Sequence, residues 1–243
     1  AGLRRRPWSW ELRGAALAMA FMISEALVGA GLVLFGLVAD NASVARAVVL
    51  GIHLVNTFFL VAFIALTAWW ASGAPGVRAR GDLASRLLLG GLLGILVLGV
   101  TGAITALGDT LFPSATLGEG IRQDLSPTAH FLVRLRVYHP LLAVGMGLYL
   151  LATAGVVRAR RADPATRRLA SAVVGIFFVQ LGAGTLNLLL LAPVWMQLVH
   201  LLLADLVWIA TVLLAASAMR VETTRARSAA GEAAPAAPAL RSA

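Results

Sequence analysis

Six long apolar blocks, separated by short loops that carry arginine, constrain this chain more than any motif in it. One of them reads 194-VWMQLVHLLLADLVWIATVLL-214. It is long enough to cross a hydrocarbon layer, which takes about 20 helical residues. Backbone groups in lipid must bond within their own segment, so such blocks are helices. The alternation over segments of roughly 10 residues that marks a membrane barrel is absent. Spans are predicted over 12–38, 45–71, 84–108, 131–157, 167–191 and 194–219. Composition agrees: the 243 residues are 60% hydrophobic and 13% charged, against about 45–50% and about 25% in soluble domains. The fold class expected is an all-α polytopic membrane protein with six transmembrane helices.

The formal net charge is +9, and every basic residue is arginine. The arginines gather in 4-RRRPWSWELR-13, in 72-SGAPGVRARGDLASR-86, in 158-RARRADPATRR-168 and in the C-terminal tail. The opposite face holds only Arg46, Arg122, Arg134 and Arg136. This is the loop asymmetry that orients a membrane protein, so nucleic acid is rejected as a partner and lipid takes its place. Both termini are expected in the cytoplasm, with the chain in a bacterial cytoplasmic membrane. The absence of cysteine excludes disulfides, thiolate haem ligands and iron–sulfur clusters within the chain. Residues 220–243 are rich in Ala and Pro and are expected to form a disordered cytoplasmic tail. The one sizeable outer loop, 109–131, is expected to hold a short interfacial helix over 114–121.

Spans one and two resemble spans five and six. Gly29-Ala30-Gly31 in the first pair matches Gly182-Ala183-Gly184 in the second, and His53-Leu54 matches His200-Leu201. Spans three to six then form a complete four-helix unit, residues 73–219, and residues 1–72 hold the second half of an earlier, pseudo-symmetric unit. The chain begins with Ala1 rather than Met, and an eight-helix parent with two further spans is expected.

Ionisable groups inside a bilayer are costly and are functional candidates by default. His53, His139 and His200 lie on three spans that run the same way, each roughly 10–12 Å below the outer end at about 1.5 Å per residue. A histidine pair from two helices of a four-helix bundle is a common haem site. His139 and His200 are the expected pair, and His53 stands apart. A hydrogen-bonded core histidine is the alternative for each taken singly. Zinc is disfavoured, because neither cysteine nor a second-ligand spacing is present. Arg136, one turn outward of His139, is a candidate partner for haem propionates, and Arg134 a weaker one. His130 is expected at the surface of the outer loop. Asn56 is a candidate partner for His53, and Asp205 is expected to bond to Asn187 or Gln180. Glu25 has no evident partner in the sequence.

The chain resembles the haem A synthase family in 99-GVTGAITALGDTLFP-113, in 126-SPTAHFLVRLRVYHPLLAV-144 and in 180-QLGAGTLNLLLLAPVWMQLVHLLLADLVWI-209. It also does so in 25-EALVGAGLVLF-35 and 53-HLVNTFFLVAF-63. The resemblance covers nearly everything but the tail. It implies two pseudo-symmetric four-helix halves, with haem b held in the C-terminal one between His139 and His200. It implies that His53 helps bind haem O, the substrate, whose methyl group is oxidised to the formyl of haem A with oxygen from water. A glutamate and a second histidine of the family's substrate site precede Ala1. Pro140 stands where many relatives carry arginine. The resemblance further implies an external electron acceptor and delivery of haem O by haem O synthase, and it leaves homo-oligomerisation open. Two other classes compete: a bis-histidine b-type cytochrome that only passes electrons, and a haem-free transporter.

Overall fold

The structure is a computed structural model, and it describes residues 9–78 and 80–221. Arg4, Arg5, Arg6 and most of the expected tail lie outside the described residues. Helices α1 (Trp10–Leu34), α2 (Val44–Ala71) and α3 (Leu83–Leu111) are followed by the short α4 (Leu117–Asp124) and α5 (Phe131–Leu135). Then come α6 (Tyr138–Arg160), α7 (Pro164–Leu189) and α8 (Val194–Ala218). Among the described residues, six stretches are long and apolar enough to cross a membrane, α5 and α6 counting together as Phe131–Arg160. The described residues contain no strand, only an isolated bridge between Val77 and Arg220.

The predicted spans fall on these helices, and the departures have local causes. The first was expected to reach residue 38 but stops at Leu34. Gly36 takes φ +63°, while Leu37 N–H donates to Leu32 O and Gly36 N–H to Val33 O, the left-handed stop that glycine permits. The fourth breaks between Leu135 and Tyr138, because Pro140 has no N–H to offer the carbonyl of Arg136. The outer-loop helix begins at Leu117 rather than 114, since Thr116 caps it by accepting from Glu119 N–H.

Helices α3, α6, α7 and α8 pack in a closed ring; α2 lies against α3 and α8, and α1 packs chiefly on α2. One apolar core runs through this ring, from Leu88 and Ile95 on α3 through Leu150 and Val173 to Leu214 on α8, and extends to Phe58 on α2. Lipid is as apolar as leucine, so cohesion between spans comes from close packing and interhelical hydrogen bonds. Trp208 Nε1 donates to Phe58 O at 2.7 Å, Tyr149 donates to Leu87 O at 2.9 Å, and Thr166 and Ser217 share a hydroxyl bond of 2.7 Å. On the arginine-rich face, Arg161 pairs with Asp82 at 2.6 Å and Arg220 with Asp163 at 3.0 Å.

Candidate functional site

Three histidines from three spans are each seated on a glycine of a neighbouring helix. A Cβ built on Gly102 of α3 would stand 2.9 Å from His139 Cε1. One on Gly184 of α7 would stand 2.8 Å from His200 Cε1, and one on Gly29 of α1 would stand 3.7 Å from His53 Cε1. Only a residue without a side chain lets the Cε1 edge of the imidazole come this close to the helix at the first two positions.

His139 and His200 face each other across the four-helix ring, with ring centres 6.3 Å apart and planes at 86°. A neighbouring helix engages one nitrogen of each ring: Thr101 Oγ1 lies 3.1 Å from His139 Nδ1, and Gln180 Nε2 lies 3.2 Å from His200 Nε2. His200 Nδ1 is buried without a partner. With metal–imidazole bonds of about 2.0–2.1 Å and ring centres about 1 Å behind the ligating nitrogens, imidazoles on opposite sides of one ion centre about 6 Å apart. Among the described residues no three His, Asp or Glu side chains converge as a bare ion requires. A macrocycle that brings four nitrogens of its own needs only two. The donor set, the unpartnered Nδ1 and the glycine seats therefore fit a haem better than a structural zinc.

The third histidine lies in the α1–α2 pair. Its Nδ1 is 3.3 Å from Glu25 Oε1. Asn56 Nδ2 donates to Glu25 Oε2 and the Thr57 hydroxyl lies against Oε1. Asn56 therefore meets His53 through Glu25 rather than directly, and Glu25, which looked solitary in the sequence, has three partners on α2. The contacts also shift the internal repeat by two residues. Nothing lies within 4 Å of a Cβ on Gly182, while Gly184 faces His200. Gly184 is thus the counterpart of Gly29, and Gln180, one turn before it, is the counterpart of Glu25.

Arg136 is 8% exposed and is held between Asp109, at 2.8 Å, and Asp124, at 3.0 Å. Its Nη2 is buried and unpartnered, which leaves one donor for an anionic group. Arg134 is exposed and lines a cleft of about 530 Å³ with Asp124, Phe131 and Tyr138. His130 caps α5, accepting from Leu132 N–H, and its ring lies on Phe112 and Phe131. Asp205 forms no hydrogen bond or ion pair among the described residues, so the expected bond to Asn187 or Gln180 is not made; Gln180 lies against His200. Thr101 and Gly102 were missed in the sequence, where a Thr-Gly pair on an apolar helix carries no distinguishing pattern, and Gly29 and Gly184 were read as a repeat and not as seats.

These features define a polytopic helical membrane protein with a facing pair of intramembrane histidines. The chain belongs to the COX15-CtaA family of cytochrome oxidase assembly proteins, matching it over residues 3–212; this is the haem A synthase family of the sequence resemblance. It is similar to proteins called protoheme IX farnesyltransferase in two strains of Thermus thermophilus. The protein of one strain is 55% identical over 207 residues, covering 85% of this chain and 34% of the relative. That of the other strain is 54% identical over the same length and shares. The chain therefore spans about a third of the curated relatives it matches. No solved structure matches it.

Proposed function

We propose that this chain is a haem A synthase unit, which oxidises the methyl group of haem O to the formyl of haem A for cytochrome oxidase. The facing pair of His139 and His200 carries the reading, together with membership of a cytochrome oxidase assembly family. In this proposal His139 and His200 hold haem b, oriented by Thr101 and Gln180, within residues 73–219. Residues 1–72 supply part of the substrate site, where His53 meets the iron of haem O. Arg136 offers Nη2 to a propionate. Bound haem supplies one-electron chemistry; the helices orient the imidazoles and keep water from them. The setting is a bacterial cytoplasmic membrane with both termini in the cytoplasm.

The relatives' name fits a neighbouring step. A protohaem farnesyltransferase makes a farnesylated haem, and the match takes up about a third of a chain with room for a second enzyme. Haem O handed over by such an enzyme is the proposed supply. The electron acceptor is a separate partner.

The test is haem extraction from membranes of a host that makes haem O but not haem A. Expressed within its full-length protein, the wild-type unit should yield haem A and His53→Ala should not. Haem b bound by the purified protein with no haem A formed would favour the b-type cytochrome reading, and a colourless protein would favour a transporter.

A further inference from the structure

Glu25 is an intramembrane carboxyl, 19% exposed, that the proposed function leaves without a task. It cannot swing away from His53. Asn56 grips one oxygen and Thr57 lies against the other. Asn56 is itself fixed by Ser24 at 2.5 Å and by the carbonyl of Phe21 at 3.0 Å. His53 Nδ1 is buried, has no hydrogen bond of its own, and has this carboxylate as its polar neighbour at 3.3 Å. At the equivalent place beside His200 stands Gln180, and beside His139 stands the Thr101 hydroxyl. Glutamine fills nearly the same volume as glutamate and costs far less to keep in a membrane. One histidine thus has a carboxylate neighbour where the other two have neutral ones.

Ligating histidines commonly give their second N–H to a carboxylate, which fixes the tautomer and makes the ring a stronger donor. We propose that Glu25 is a positioning residue for His53. It holds the proton on Nδ1 and presents Nε2 to haem iron as a stronger donor than either His139 or His200. Outer hydrogen bonding to an axial ligand is one of the levers that set haem potential. Ferric iron is therefore favoured at the His53 site relative to the His139–His200 site. The inference rests on His53 being a haem ligand.

The full chain in lipid nanodiscs tests it in two ways. Nitrogen NMR of the haem-free, histidine-labelled protein, with His53 assigned through His53→Ala, should show one tautomer, protonated on Nδ1. Glu25→Gln should show a mixture. The protein is then loaded with haem O and titrated electrochemically. Glu25→Gln should raise the midpoint of the component lost in His53→Ala by tenfold or more in the ferric-to-ferrous ratio, about 59 mV for one electron. Gln180→Glu should lower the midpoint of the component lost in His200→Ala. Retained helix content and an intact His139–His200 spectrum show that Glu25→Gln folds. An unchanged tautomer and an unchanged midpoint in that variant would overturn the proposal. If His53→Ala removes no haem component, the ligand reading of His53 is what fails. If it removes one whose midpoint Glu25→Gln does not move, only the Glu25 inference fails.

Discussion

The imidazoles of His139 and His200 stand with ring centres 6.3 Å apart although they are 61 positions apart in the chain. They come from α6 and α8, which belong to one closed ring of helices. Replacing either with alanine should leave bound haem one axial ligand short. We expect His139→Ala and His200→Ala each to convert a low-spin spectrum to a high-spin one, with added imidazole restoring the low-spin form. If both variants kept a full low-spin spectrum, the pair would not be the ligands.

The glycine seats make a sharper expectation, because a single methyl separates the register seen in the structure from the one read in the repeat. Gly184→Ala and Gly102→Ala place a Cβ 2.8 and 2.9 Å from an imidazole carbon, whereas Gly182→Ala meets nothing within 4 Å. The first two should lower haem retention on purification severalfold, and Gly182→Ala should not. Gly29→Ala, at 3.7 Å from His53, should be tolerated. Equal loss in Gly182→Ala and Gly184→Ala would refute the register.

The spans were legible because hydrophobic length is a one-dimensional property, and because His139 and His200 are conspicuous on apolar helices. What could not be read was which face each helix turns to its neighbour. Gly182 and Gly184 are two residues apart, so they point in widely different directions on a helix; the sequence offers no reason to prefer the second, and the packing of α7 on α8 decides it. Glu25 looked solitary because its partners on α2 are more than 25 positions away. Arg136 was read as a propionate partner from its place one turn above His139. The two aspartates that hold it come from the end of α3 and from α4, and no spacing rule joins those elements.

Arg136 ties the outer loop to the bundle through those aspartates. Breaking a buried ion pair costs about 3–5 kcal/mol, much of it from the charge left behind. Arg136→Ala should lower stability by that order, with faster proteolysis between Phe112 and His130. Arg136→Lys should rescue only in part, since an ammonium cannot fork between two carboxylates. Burial pushes the Asp124 carboxyl above its ordinary range, and the guanidinium opposes this. Without Arg136 that rise grows. A carboxyl raised in the folded state favours folding at low pH and loses that contribution as pH climbs through its folded value. Arg136→Ala should therefore regain part of its stability on going from pH 8 to pH 5. Melting curves at the two pH values check this, and a deficit independent of pH would sink the assignment.

On the arginine-rich face, Asp82 caps α3 by accepting from Ser85 N–H and also pairs with Arg161, whose Nε donates to Ala218 O at the end of α8. One carboxylate thus joins the start of α3 to the ends of α6 and α8. The hydrogen bond from Arg161, with that from Ser85, holds the Asp82 carboxyl well below its ordinary range. A carboxyl lowered in the folded state stabilises above the unfolded value, about 3.9, and loses that contribution as pH falls through the folded one. Asp82→Ala should cost about 1 kcal/mol for the cap, and the partly solvated ion pair should add little. The gap between the melting temperatures of wild type and Asp82→Ala should be full at pH 7 and shrink as pH falls below about 4. Asp82→Asn keeps a capping side chain and loses the charge, so it should fall between the two at pH 7. A gap unchanged from pH 7 to pH 3 would show that the carboxylate is not ionised in this role.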